Sequence, residues 1–178
     1  MKKTLVDLFE QSVKDYSNNT FLLEKTGKEF EPTTYAQVQE LVYRLGAGLQ
    51  ALGVKKGDNM ALLSEGRNLW VIGELSMFYA GATNVPLSIK LEESNDLLFR
   101  IRHSDSRFVI VSQQQLPKIR KIIDQLPLVE RVVVLDDLKE YKDKEIGISE
   151  FIRMGQEYLA ENEAKLDERA KSVGPDDY

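Results

Sequence analysis

Between Asp58 and Ser88 the chain reads DNMALLSEGRNLWVIGELSMFYAGATNVPLS: a short apolar run, a turn, a segment apolar at almost every helical position, and a second short apolar run. Few folds accept that order. A helix hydrophobic on nearly all sides belongs in an interior, so Leu69, Trp70, Val71, Ile72, Leu75, Met77, Phe78 and Tyr79 are expected to be core. Asn68 is placed to cap its start and Gly81 to stop it. The flanking runs, Met60 to Leu63 and Thr83 to Leu87, suit parallel neighbours joined by a right-handed crossover.

The remaining pattern extends this unit. Leu5, Leu8, Phe9 and Val13 predict a helix over residues 3–16 with one apolar stripe. Phe21 to Glu24 and Glu29 to Glu31, joined at Thr26, Gly27 and Lys28, predict a small hairpin. Thr34 and Gln37 form a capping-box signature ahead of the stripe Val38, Leu41, Val42, Leu45, Leu49 and Leu52, which Gly53 ends. Past Ser88 the chain alternates again. A helix over 92–104 carries Leu97, Leu98 and Ile101, and Phe108 to Val111 is a strand. A helix starting at Pro117, with Ser112 and Gln115 a rival start, carries Ile119, Ile122, Ile123 and Leu126, and Val132 to Leu135 is a fourth strand. Strands separated by helices define an α/β class, a doubly wound, mostly parallel sheet with flanking helices and a small N-terminal hairpin.

By this reading residues 1–33 are a helix and hairpin lead-in, 34–136 the sheet core and 137–178 a charged helical extension, together one N-terminal subdomain. Within the extension, 136–147 reads as turn, 149–153 as one or two helical turns and 156–171 as a charge-rich helix anchored by Tyr158, Leu159, Leu166 and Val173. Gly174 to Tyr178 closes nothing and reads as a cut.

Charge and residue usage exclude several functions. A net charge of −5 with dispersed lysine and arginine argues against a nucleic-acid partner. The chain lacks cysteine and has one histidine, which excludes thiolate and paired-histidine metal sites and fits a cytoplasmic protein. No run is long and apolar enough for a transmembrane segment. The tempting motifs fail on context. Gly46 to Ala51 matches GxGxxA and Gly48 to Lys55 resembles a shifted phosphate loop, but both lie within or at the end of a helical stripe, where small residues mean close helix packing. His103 has no serine elbow to serve and reads as a surface or capping residue. No catalytic, cofactor-binding or metal-ligating residue stands out. The best-placed polar group is Ser64, Glu65, Arg67 and Asn68, at a strand's carboxyl end before a helix N-terminus. It is a candidate site wall, or simply a turn with a cap.

Thr34-Tyr35 with Gln39-Glu40, then Leu52-Gly53-Val54-Lys55-Lys56-Gly57-Asp58, Arg67-Asn68-Leu69-Trp70 and Tyr79 to Leu87 resemble, in order and spacing, the N-terminal part of the adenylate-forming, AMP-binding acyl-CoA synthetase superfamily. Leu62 to Trp70 and the tail from Ile148 to Asp177 are most similar to long-chain fatty-acid CoA ligases. The resemblance implies a fatty acid substrate, with ATP, Mg²⁺ and CoA as cofactors. The acid would attack the α-phosphate of ATP to give acyl-adenylate and pyrophosphate, and CoA would then displace AMP. It also implies that the family's phosphate loop begins just past Asp176-Asp177-Tyr178, so that this chain alone is inactive and its partners are the remaining domains of the same polypeptide. A fatty substrate would place the protein at the membrane periphery. The uncovered sheet predicts a homo-oligomer. Ligases for aryl, short-chain or amino acids share these landmarks, and a stand-alone flavodoxin-like binding module remains the reading from another class.

Overall fold

Local chemistry sets the first two long helices before packing acts. Thr4 accepts from the Asp7 amide at 3.0 Å while Asp7 accepts from the Thr4 amide at 2.9 Å, and Thr34 and Gln37 repeat the exchange. These capping boxes start α1 (Leu5–Tyr16) and α2 (Tyr35–Ala51). Between them β1 (Thr20–Thr26) and β2 (Glu29–Thr34) form an antiparallel hairpin turned at Gly27, where φ is +65°. This computed structural model describes residues 3–177; Met1, Lys2 and Tyr178, the last residue of the Asp176–Tyr178 landmark, lie outside them.

The rest of the chain alternates: β3 (Asn59–Leu63), α3 (Asn68–Tyr79), β4 (Thr83–Pro86), α4 (Ser94–His103), β5 (Phe108–Val111), α5 (Leu116–Ile122), β6 (Arg131–Val134), β7 (Glu145–Gly147) and α6 (Ile148–Ser172). All five strands from β3 onward pair in parallel, in the order β4-β3-β5-β6-β7. In chain order that is second, first, third, fourth, fifth, the flavodoxin-type arrangement. Alternate side chains divide the core. Met60, Leu62, Phe108 and Ile110 face the layer of α1, α2, α3 and α6, whereas Ala61, Leu63, Val109 and Val111 face α4 and α5. The expected α/β class, parallel sheet and hairpin are present.

Several expectations need correction. The sheet has five strands rather than four, because β7 lies in the charged stretch read as turn. Its three residues carry too little apolar signal to stand out, and pairing with β6 makes the strand. The tail is two helical stretches within α6 that meet at a kink at Asn162, and not at residues 154–155. Gly155 is there for proximity: a Cβ on it would meet the Arg44 carbonyl oxygen at 1.8 Å. Gly48 sits against Phe151 and Gly46 against Tyr79 and the Ser76 carbonyl, so the GxGxxA stretch is the helix-packing face expected of it.

On α1 the buried residues are Val6, Phe9 and Val13, while Leu5 and Leu8 are 60% and 48% exposed. The stripe is rotated by one position because α1 leans on α2 and α3 along that edge. α3 buries Ile72, Met77 and Tyr79, but Leu69, Trp70, Leu75 and Phe78 are only partly covered. Trp70 is therefore packed on the core without being inside it. α3 lies over the edge strand β4, and among the described residues its outer flank is only partly covered. α5 begins next to Pro117, which takes its first turn, and tightens into 3₁₀ geometry at Ile123–Gln125.

Candidate functional site

In an open parallel sheet the strand order reverses at one point, and the crevice outside the carboxyl ends there is where ligands bind. Here the reversal falls between β3 and β5, so the relevant rim is Ser64 to Asn68 after β3, Ser112 to Gln115 after β5, and Asp136 after β6. The four residues singled out by sequence all stand on it.

Glu65, Arg67 and Asn68 are each held by a partner from another element, and Ser64 by its own turn. Glu65 accepts from the Gln115 side-chain amide at 2.5 Å. Burial pushes the Glu65 carboxyl up, but hydrogen bonds from Gln115 and the Ser112 hydroxyl, with Arg67 nearby, outweigh it and leave the group below its ordinary value. Arg67 donates to Asp136 at 2.7 Å, and the other Asp136 oxygen accepts from the Gln113 amide at 2.7 Å, which bolts the ends of β3, β5 and β6 together. Ser64, 6% exposed, donates to the Glu65 carbonyl at 3.1 Å. Gln115, 5% exposed, leaves its Oε1 without a donor among the described residues.

Asn68 corrects the sequence reading. It is the first helical residue of α3, and the N-cap position belongs to Arg67, which makes no side-chain cap bond. The cap comes from the hairpin: Glu24 Oε2 accepts from the Asn68 amide at 3.3 Å, and the Asn68 side chain donates to Thr33 at 3.3 Å. The anion-binding end of the helix dipole is thus filled by the chain's own carboxylate. Glu24, Gln115 and Asp136 are the rim residues that sequence reasoning missed. Asp136 and Gln115 were visible only as a strand end and a helix start, and Glu24 carried no signal because its role depends on how the hairpin docks.

At the rim the Ser64 hydroxyl serves its own turn, while the Ser112 hydroxyl accepts from the Gln115 amide and bonds the Glu65 carboxylate, whose depressed pKa makes it a weak base. His103 lies at the last residue of α4, at the opposite end of the strands, with its ring stacked on Phe99. Among the described residues no three histidine, cysteine or acidic side chains converge as a metal site would require. What the rim offers is a hydrogen-bonded polar surface on which Arg67 stands with the carboxylates of Glu65, Asp136 and Glu24.

A parallel sheet in this order is the architecture of a flavodoxin-like α/β domain. The AMP-binding enzyme family matches residues 9–177, and the chain belongs to that family. Long-chain-fatty-acid–CoA ligase ACSBG2 of Xenopus laevis is 24% identical over 174 residues, 97% of this chain but 23% of that protein. Among solved structures, an anthranilate CoA ligase in complex with anthranoyl-AMP is 26% identical with a TM-score of 0.75, covering 85% of this chain and 28% of the other. A long-chain-fatty-acid-CoA ligase from Archaeoglobus fulgidus covers 99% of this chain and 31% of the other, with a TM-score of 0.69 at 16% identity, and so shares the fold. The chain spans about a quarter of the length of the curated relatives it matches.

Proposed function

We propose that this chain is the amino-terminal scaffold of an ATP-dependent acid–CoA ligase of the adenylate-forming type, with a long-chain fatty acid as substrate. The observation that carries this reading is the family match, which runs unbroken through hairpin, sheet and α6 over residues 9–177. In it, Ser64, Glu65, Arg67 and Asn68 form part of the wall of the acyl or CoA site, and their mutual bracing supports a positioning role. ATP, Mg²⁺ and CoA act in the whole enzyme. The groups that would hold the transferring phosphate need a glycine-rich backbone, a lysine and a metal, a set that the described residues do not assemble, so no reaction step is assigned to them. The helix N-terminus that could have taken a phosphate holds Glu24 instead.

An aryl acid is the second reading, favoured by the likeness to the anthranilate CoA ligase. No helix among the described residues is long and apolar enough to cross a membrane, and a cytoplasmic place beside the membrane is part of the proposal. The native coding sequence downstream of Tyr178 is the first test. An open frame encoding a glycine-rich phosphate loop is expected, and a stop codon directly after Tyr178 would overturn the reading in favour of a stand-alone module. The encoded enzyme should then exchange pyrophosphate into ATP with palmitate and not with anthranilate, whereas the 178-residue chain alone should show no acid-dependent exchange.

A further inference from the structure

The sheet separates two helix layers of unlike charge. Residues 88–125, which hold α4 and α5, carry seven lysines and arginines against five acidic residues, in a chain whose net charge is −5. Across the sheet α6 carries four against six. Within the first layer Arg107, Lys118 and Arg120 are held in ion pairs, whereas Arg100 and Arg102, both exposed, make none among the described residues. They stand in the last turn of α4 with His103, while Asp96, the one acidic residue of that helix, is in its first turn.

The same helix carries the most exposed large apolar side chain among the described residues. Leu97 and Ile101 face inward, and at about 100° per residue Phe99 falls on the crest of the opposite face, 64% exposed. His103, one turn on, stacks on its ring with centroids 5.3 Å apart and holds it there. Arg102 lines the shallow hollow beside Phe99 and also a second one, of about 160 Å³, with Asp105, Pro127 and Leu128. Leu128 is 52% exposed. Two exposed apolar points thus stand beside an arginine that pairs with no acid.

We propose that this face docks the protein on an anionic lipid surface, with Phe99 and Leu128 entering the headgroup layer and Arg100 and Arg102 meeting lipid phosphates. Three features select this occupant. Phe99 stands on the crest of a single helix whose own residues line the hollow beside it, so the face offers no groove for a peptide side chain but suits a deformable surface. Unpaired cations beside an exposed aromatic ring match an anionic interface, whereas a second copy meeting this face would bring like charges together. The acidic excess of α6 lies across the sheet and so turns away from the same surface. No residue from 173 to 177 lines either hollow. Docking there gives the place beside the membrane a surface, and it depends on α4 rather than on which acid is activated.

The test is co-sedimentation of the 178-residue chain with vesicles of phosphatidylcholine, alone or with about a third phosphatidylserine. Binding to the anionic vesicles should be at least about tenfold tighter and should weaken as salt is raised. Arg100→Gln combined with Arg102→Gln should lose at least about tenfold, and Phe99→Ser about tenfold. Phe30→Ser, which removes a comparably exposed ring from the hairpin, should bind as the parent does, with far-ultraviolet circular dichroism checking that every variant folds. With the single native indole removed by Trp70→Phe, Phe99→Trp should emit further to the blue on anionic vesicles and be quenched by brominated lipid. Equal binding to the two vesicles, parent-like binding by the arginine or Phe99→Ser variants, a loss in Phe30→Ser as large as in Phe99→Ser, or capture of soluble polyglutamate with no vesicle binding would overturn the proposal.

Discussion

Replacing Gly155 with alanine puts one methyl group where α2 and α6 come closest. A Cβ built at Gly155 would stand 1.8 Å from the Arg44 carbonyl oxygen, 2.8 Å from the Arg44 carbonyl carbon and 2.9 Å from the Gly48 amide nitrogen. All three are backbone atoms, so no side chain can turn aside. An ordinary carbon–oxygen contact is about 3.3 Å, so the helices must part locally by about 1.5 Å. That separation loosens Phe151, whose ring fills the space over Gly48, and Leu166 against Gly46, both fully buried. Overpacking of this kind costs about 1–3 kcal/mol, with a further loss of contacts around Phe151, while alanine regains about 1 kcal/mol of helix propensity. The net expectation is a loss of about 2–3 kcal/mol, a large part of a stability of about 5–15 kcal/mol. Gly66→Ala is the internal control: nothing lies within 4 Å of its Cβ position, and the change should be neutral or stabilising by up to about 1 kcal/mol. Urea unfolding of both variants, with slopes compared to the parent, measures the two effects. Gly155→Ala within about 0.5 kcal/mol of the parent would refute the claim that backbone proximity sets the α2–α6 contact.

Trp70→Ala should cost about 1–2 kcal/mol by urea unfolding, less than the 3–5 kcal/mol, roughly, of a fully buried aromatic, because the ring is only partly covered; a loss above about 3 kcal/mol would return Trp70 to the core. Glu24→Gln leaves the hydrogen bond to the Asn68 amide but removes the charge at the start of α3, and should cost about 0.3–1 kcal/mol and lessen with added salt; salt-independent stability loss would contradict the dipole argument. Glu145 accepts from Arg120 at 2.7 and 2.8 Å, and those bonds hold its carboxyl below the ordinary value despite burial. A depressed carboxyl contributes stability that is present above the unfolded value and lost as pH falls through the folded one. The urea midpoint should therefore drop as pH falls below about 4, and drop less in Glu145→Gln; an identical acid slope in the variant would remove Glu145 from the account.

Periodicity and punctuation determined most of what is local in this protein. The stripes of α2, α4 and α5, the capping boxes at Thr4 and Thr34, and the left-handed glycines at 53 and 81 follow from the identities of neighbouring residues. So does the parallel sheet, since apolar strands alternating with helices leave a chain little other choice. The strand order did not follow, nor did β7, because pairing depends on which edge each crossover reaches. Gly155 falls between the two helical stretches read from sequence and is a contact point in space, which only the neighbouring Arg44 carbonyl reveals. Four rim residues were legible because they stand at a strand's end, yet their partners Glu24, Gln115 and Asp136 come from separate elements that only folding brings together. The half-covered flank of α3 shows the same division. Hydrophobicity places that helix against the sheet, and only its position over the outermost strand decides which of its apolar side chains stay in contact with water.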